Sequence, residues 1–256
     1  MSRIAEKLAR WLKSRLDSAG ARGFVVGLSG GLDSTVVARL CQTAAPGRTL
    51  GVVLPCHSDA EDAADATRVA DHFHLPVITV SLDAAYDTLG AAADTALCDA
   101  VLDAASDRET ADEGRKRLAL ANIKPRLRMT TLYFVANRLN YLVAGTGNRS
   151  ELALGYFTKH GDGGVDLLPL GHLLKSEVRA LARELGVPAS IIDKPPSAGL
   201  WLGQTDEGEM GFTYADLEAY LRDGPRGVAP AVAVKIERLA RASDHKRALP
   251  PVPDGT

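Results

Sequence analysis

One glycine-rich turn offers the clearest chemistry in the chain: Gly27, Leu28, Ser29, Gly30, Gly31, Leu32, Asp33 and Ser34, in unbroken order. Glycines let backbone N–H groups crowd around an anion, and a helix beginning there adds positive potential. Ser29, Ser34 and Thr35 supply hydroxyl donors. No Gly-Lys-Ser/Thr follows, so the turn is not a Walker A loop, and it is not GxGxxG either. Asp33 is the informative residue. A carboxylate here repels phosphate unless a divalent cation lies between them, so Asp33 points to Mg2+ bridging phosphate oxygens. Taken alone, the turn also reads as a plain strand–helix junction capped by Ser or Asp.

The flanking pattern is what must position that turn. Residues 24–28 are a short apolar run that reads as a strand, and Val36, Val37, Leu40 and Cys41 fall at helical spacing after it. Further strands are predicted at 49–55, 77–82 and 141–145, and helices at 60–73, within 118–139 and at 173–185. Gly186 and Pro188 stop the last of these. The Ala- and Asp-rich stretch 84–115 reads as helical or partly mobile. Strands apolar on both faces and alternating with helices predict α/β architecture, an open parallel sheet with helices on both faces. Ligands in such doubly wound sheets bind beyond the carboxyl ends of the strands. The turns at 27–31 and 145–147 fall at such ends. Residues 193–214, with Pro195, Pro196 and four glycines, read as a long functional loop with few core residues.

Composition excludes several classes. The 256 residues carry a net charge of −2 and no long block of one sign, so no nucleic-acid footprint is expected. Arg115, Lys116 and Arg117 sit beside Asp112 and Glu113 and read as a solvated helix face. Cys41, Cys56 and Cys98 match no metal spacing and read as reduced thiols of a cytoplasmic protein. No run approaches a membrane span, and Ile4, Leu8, Trp11, Leu12 and Leu16 make a helical stripe, not a signal peptide. His57, His72, His74, His160 and His172 form no metal pair and read as structural. Cys56 and His57 are neighbours on an extended segment, point opposite ways and make no nucleophile–base pair.

Further segments carry chemistry: Asn122 to Met129, Gly145-Thr146-Gly147-Asn148-Arg149-Ser150-Glu151, Gly155-Tyr156-Phe157-Thr158-Lys159-His160-Gly161-Asp162-Gly163-Gly164-Val165-Asp166, Lys194 to Trp201 running into Gly203 to Glu207, and His245-Lys246-Arg247. The SGGLDS string resembles the pyrophosphate loop of the ATP pyrophosphatase superfamily, whose members cleave ATP between the α and β phosphates. All the segments together resemble the ammonia-dependent NAD synthetase family, from about residue 3 to residue 252. The resemblance implies an adenine nucleotide alpha hydrolase-like fold and one synthetase domain over 1–256, with no glutaminase domain. It implies a ligase that adenylates the nicotinate carboxylate of deamido-NAD with ATP, releases pyrophosphate, and lets ammonia displace AMP.

Site roles follow from the same resemblance. Asp33 and Glu151 match the family's Mg2+ ligands. Gly27, Leu28, Ser29, Gly30, Gly31, Leu32, Asp33, Ser34, Thr146, Lys175 and Ser197 match its ATP contacts. Arg126, Lys159, Asp166, His245 and Lys246 match its deamido-NAD contacts, shared across a homodimer interface. Ser197 stands where some relatives carry Thr, and the hydroxyl is kept. Pro125 replaces an Ala of some relatives and restricts Lys124 to extended geometry, which bears on Arg126. The chemistry agrees: a carboxylate accepts ammonia poorly until adenylation gives it a leaving group. Neither step needs a covalent enzyme intermediate, so catalysis rests on positioning and charge neutralisation. Lys175 and the Mg2+ that Asp33 holds serve the departing pyrophosphate. Asp162 reads either as the base that deprotonates ammonium or as a turn former before Gly163. Tyr156 and Phe157 read as stacking partners of the pyridine ring or as core aromatics. Trp201 reads as a lid or a surface anchor. Two alternatives remain open: another ATP pyrophosphatase, amidating a purine nucleotide or thiolating tRNA, and a non-catalytic nucleotide sensor. A tRNA enzyme would show a basic surface or a cysteine pair, and neither is evident; a sensor has no need of Asp33, Glu151 and Lys175.

Overall fold

Gly23–Gly27 (β1) is the centre of a parallel sheet because its residues are apolar on both faces. The computed structural model describes residues 3–101, 109–197, 199–201 and 203–253. The other strands are Thr49–Val53 (β2), Val77–Thr79 (β3) and Tyr141–Val143 (β4), in the order β3-β2-β1-β4, all parallel. Val25 faces Leu50 on one side and Val143 on the other. Chain connections leave β1 toward β2 on one side, and β4 returns on the other. The carboxyl ends of β1 and β4 therefore flank a topological switch point, the place where open sheets bind ligands.

Alternation sends successive side chains of β1 to opposite layers. Phe24 and Val26 join a core with Leu12, Leu16, Val36, Val37 and Leu181. It is built from Arg3–Ser18 (α1), Leu32–Ala44 (α2), Ala60–Phe73 (α3), Lys175–Glu184 (α7) and Ala189–Ile192 (α8). Val25 joins Val52, Leu54, Leu82, Ala136 and Val143 on the other face. That face is covered by Asp83–Val101 (α4) and Glu109–Leu139 (α5). A third cluster, Leu154, Met210, Phe212, Tyr214, Leu217 and Ile236, joins four further helices. They are Arg149–Leu154 (α6), Asp206–Met210 (α9), Tyr214–Asp223 (α10) and Pro230–Ala242 (α11).

Two expectations change. Residues 193–214 are not a coreless loop: they contain α9, and Met210, Phe212 and Tyr214 are buried. Thr205 accepts from the Gly208 N–H and caps that short helix, a signal hidden among the glycines. Pro125 does not force Lys124 into extended geometry, because both lie inside α5. The residue before proline disfavours the helical region, but a long helix packed on β1 and β4 overrides it. Arg115, Lys116 and Arg117 are exposed as expected, and Cys41 and Cys56 are buried thiols. The side chain of Cys98, the residues Ala198 and Leu202, and positions 254–256 lie outside the described residues.

Candidate active site

The turn after β1 is tied by its own hydroxyls. Ser34 Oγ donates to the Gly31 carbonyl at 3.0 Å and lies 3.1 Å from Ser29 Oγ. Thr35 Oγ1 donates to the same carbonyl at 2.8 Å. Gly30 has φ +77°, and a Cβ there would lie 2.6 Å from the Asp62 carbonyl oxygen. Only glycine lets the loop press against α3 in that conformation.

The turn after β4 supplies the opposite wall. Asn148 and Glu151 form a reciprocal capping box at the start of α6: Glu151 N–H donates to Asn148 Oδ1 and Asn148 N–H to Glu151 Oε2, both at 3.1 Å. Asn148 Nδ2 also donates to Asp33 Oδ1 at 3.1 Å, which joins the two turns across the switch point. The bond from Asn148 to Asp33 spans 115 positions, so no local pattern in the sequence announces it.

Lys175, at the start of α7, lies buried between the two carboxylates. Its Nζ donates to Asp33 Oδ2 and, at 3.5 Å, to Glu151 Oε1. The face of Tyr214 lies over the same ammonium at 5.4 Å, an arrangement that favours a cation. Burial pushes the Glu151 carboxyl up to about 8, against the lowering influence of Lys175 and with the Asp33 charge adding to the rise. Burial also disfavours the Lys175 cation, but Asp33 and then Glu151 outweigh it, and its affinity for the proton is raised. Two carboxylates and one ammonium leave one surplus negative charge. A proton or a cation relieves it. Asp206, which sequence reasoning did not single out, extends this acidic group. It is buried, accepts from the Tyr214 hydroxyl at 2.8 Å, and has no hydrogen-bond partner for Oδ1 among the described residues.

Glu151 also faces a cavity of 330 Å³ with Thr146, Phe157, Asp162, Lys246 and Arg247 on its wall. Asp162 is fixed there by the Thr158 N–H, 2.8 Å from Oδ1. Burial raises its pKa above the ordinary carboxylate value, with that N–H opposing. Lys246 turns inward, donating to the Gly155 and Phe157 carbonyls at 2.8 Å each. Phe157 is thus a wall residue, whereas Tyr156 donates its hydroxyl to Glu209 at 2.8 Å.

The remaining basic residues gather elsewhere. Lys159 Nζ donates to the His245 carbonyl at 2.5 Å, and Arg126 Nη2 to the Lys159 carbonyl at 3.4 Å. Arg126, Lys159 and His245 are exposed or partly so, a basic patch from three distant segments. Asp166 is occupied by the fold: Tyr133 donates its hydroxyl to one oxygen at 3.0 Å and Val143 its N–H to the other at 2.8 Å. Ser197 is exposed on the segment before α9 and accepts from the Gly199 N–H at 3.1 Å. That segment is pinned to α3 by Lys194, which reaches Asp62 at 2.8 Å and Asp65 at 2.5 Å. Trp201 stacks under Arg117 of α5, 4.7 Å from ring centre to guanidinium. His57 pairs with Asp87 and His72 with the Gly186 carbonyl, in keeping with structural histidines.

This arrangement can hold an anion on loop N–H groups, a divalent cation on paired oxygens and a carbonyl-bearing ligand beside a carboxylate-lined cavity. Known proteins with the same sequence pattern point the same way. A family model described as NAD synthase matches residues 4–250. An NH(3)-dependent NAD(+) synthetase from Carboxydothermus hydrogenoformans is 54% identical over 248 residues, covering 97% of this chain and 96% of that one. An NMN synthetase from Francisella tularensis superposes with a TM-score of 0.87 at 36% identity, covering 100% of both chains. An NH3-dependent NAD synthetase from Campylobacter jejuni, solved with a nitrate ion, gives a TM-score of 0.76 at 26% identity, covering 99% of this chain and 100% of that one.

Proposed function

The chain belongs to the NAD synthase family, and from that premise we propose which of its residues hold the nucleotide, the metal and the dinucleotide. The activity is ammonia-dependent synthesis of NAD, a ligase reaction with ATP as co-substrate. A nicotinate carboxylate oxygen of deamido-NAD attacks the α-phosphorus of ATP, and pyrophosphate leaves. Ammonia then attacks the acyl carbon, and AMP leaves.

The observation that carries the assignment is the meeting of Asp33, Glu151 and Lys175 at the mouth of the loop after β1. Loop N–H groups and Lys175 take the departing pyrophosphate. Mg2+ fits the donor set, since Asp33 and Glu151 offer hard oxygens and a surplus negative charge, and Mg2+ sites commonly use one or two carboxylates with phosphate oxygens. When bound, the ion neutralises phosphate charge. Thr146 and Ser197 complete the nucleotide contacts. Asp162 is the base for ammonium, since it lies in the cavity that Glu151 opens onto, with its pKa raised toward that task.

Arg126, Lys159, Asp166, His245 and Lys246 serve deamido-NAD in a homodimer, with the exposed patch of Arg126, Lys159 and His245 reaching across the interface and Lys246 acting in the cavity of its own chain. Support for the dimer comes from α4 and α5, which leave Leu89, Leu97, Leu118 and Phe134 in solvent, Phe134 at 68%. Apolar faces of this kind are usual at subunit contacts. Among the described residues no helix is long and apolar enough to cross a membrane. We assign the protein to the cytoplasm, where buried unpaired thiols such as Cys41 persist.

The Francisella relative favours a second reading of the acceptor, nicotinate mononucleotide in place of the dinucleotide. One assay separates them. The protein is given ATP, Mg2+ and ammonium with either acceptor, or glutamine freed of ammonia in place of ammonium. We expect NAD from deamido-NAD with ammonium, AMP and pyrophosphate in equal amounts, and no product with glutamine. A higher kcat/KM for the mononucleotide would establish the second reading, and stoichiometric ADP would overturn the adenylation chemistry.

A further inference from the structure

Two cations, Lys124 buried and Arg128 partly buried, have no role in the assignments above. Lys124 and Arg128 lie one turn apart on α5, so they share a face of that helix. Lys124 is 6% exposed; its Nζ donates to the Leu200 carbonyl at 2.9 Å and stands 5.5 Å from the Tyr86 ring centre. Arg128 Nε donates to the Leu54 carbonyl at 3.2 Å and Nη2 to Ser58 Oγ at 3.1 Å. Leu54 directly follows β2, so the guanidinium reaches over the carboxyl edge of the sheet. Each of these partners is neutral. Asp83 acts on Lys124, and Asp162 and Asp62 on Arg128, only at longer range. Burial holds both cations below their ordinary proton affinity. Buried charges are normally paired, so a buried Lys124 beside a partly buried Arg128, both hydrogen-bonded only to neutral oxygens among the described residues, calls for an anion from outside.

The surroundings say which anion. Asp62 borders the loop after β1, where its carbonyl abuts Gly30. Asp162 lies on the wall of the cavity that Glu151 and Lys246 share. Arg128 reaches the Leu54 carbonyl beyond β2, the strand beside β1, while Pro125 and Met129 of the same helical turn pack against Gly161 and Gly164 around Asp162, so Arg128 stands between the pyrophosphate loop and the amine cavity. In the adenylation reaction the atom between those two places is the α-phosphorus. We propose that Lys124 and Arg128 clamp the α-phosphate of ATP and keep hold of it, as the phosphate of the adenylate and then of AMP, through both steps.

This assignment rests on the adenylation chemistry of the proposed function. In the first step a carboxylate oxygen bonds to the α-phosphorus. The bond from that phosphorus to the bridging oxygen breaks, and its electron pair leaves with pyrophosphate. In the second step the ammonia nitrogen bonds to the acyl carbon, the acyl C–O bond breaks, and its electron pair passes to the α-phosphate. The nitrogen loses its proton to Asp162 or water. The α-phosphate gains a negative charge as AMP departs, and two fixed cations favour that departure. Lys124 also holds the Leu200 carbonyl, so the segment 194–201 closes against the same clamp.

Equilibrium titration of the full-length protein with AMP, adenosine and inorganic pyrophosphate tests the clamp without turnover. For Lys124→Gln and Arg128→Gln we expect AMP affinity to fall about tenfold or more, the size of a lost charged hydrogen bond. Adenosine and pyrophosphate affinities stay as in the wild type, and Arg128→Lys keeps part of the AMP affinity. Arg128 also supports Leu54 and Ser58, so Lys124→Gln decides the matter if Arg128→Gln does not fold. Unchanged AMP binding, loss of pyrophosphate binding with AMP binding intact, or equal loss of AMP and adenosine would each overturn the clamp. A wild-type protein that makes no NAD would sink the proposed function instead, whichever way the titrations fall.

Discussion

Asp33 divides its two oxygens between Asn148 and Lys175, and so ties the loop after β1 to the turn after β4. Its charge matters more than its shape. Asparagine at this position keeps an acceptor for Lys175 but leaves no anion to hold a metal against phosphate. In Asp33→Asn we expect turnover to fall at least ~100-fold, since metal charge stabilisation is worth several kcal/mol. Lys175 keeps Glu151 as partner, so no buried cation is orphaned and the fold survives. Steady-state rates with a thermal melt check both halves, and near-normal turnover would remove Asp33 from the metal site. At this scale the sequence exposes residue types but not their meeting. Asp33 is legible because a carboxylate in a phosphate-like loop is anomalous. Lys175 and Glu151 are legible only through resemblance, because nothing local in a Leu-Lys-Ser or Ser-Glu-Leu string says that their side chains meet. Lys124 and Arg128 are not legible, because buried and surface cations look alike in a sequence.

Helix boundaries reveal why some elements are readable. The helix expected over 60–73 is α3, because Asp59 caps its start and a left-handed His74 and Pro76 close it, all local signals. The strands at 77–82 and 141–145 shorten to β3 and β4, since strand ends depend on partners that a sequence does not print. Pro125 misled in the other direction, because tertiary packing of α5 outweighs a one-residue preference. The segment from Lys194 to Gln204 is where element-scale behaviour can be measured. It is held to α3 by Lys194 and to α5 by Leu200 and Trp201, with glycines and prolines between. Segments of this kind close over ligands. In Lys194→Met the contacts to Asp62 and Asp65 are lost, so limited proteolysis at 194–204 should speed up several-fold in the free enzyme. ATP with deamido-NAD should slow cleavage in the wild type and slow it less in the variant. Equal cleavage in all four samples would show that the segment is not a lid.

Whole-molecule behaviour turns on how many chains make one site. The cluster around Asp33 lies at the switch point of the sheet, whereas Arg126, Lys159 and His245 form a separate exposed patch. Lys246 faces the cavity of its own chain, so the patch to test is the one around Lys159. A dinucleotide is long enough to run from one subunit to the next, and the apolar residues left bare on α4 and α5 offer the surface on which two chains can meet. If the site is shared, two defective chains can repair each other. Asp33→Asn and Lys159→Ala, each inactive alone, are unfolded and refolded together in equal amounts. In a mixed dimer one site collects both lesions and the other collects neither. Random pairing makes half the dimers mixed, so about a quarter of all sites should recover. If Asp33 and Lys159 serve one site from one chain, every site in every dimer keeps a lesion, and mixing restores nothing. Mixed dimers that form, as shown by a tag on one variant, and yet stay inactive would therefore make each subunit self-sufficient.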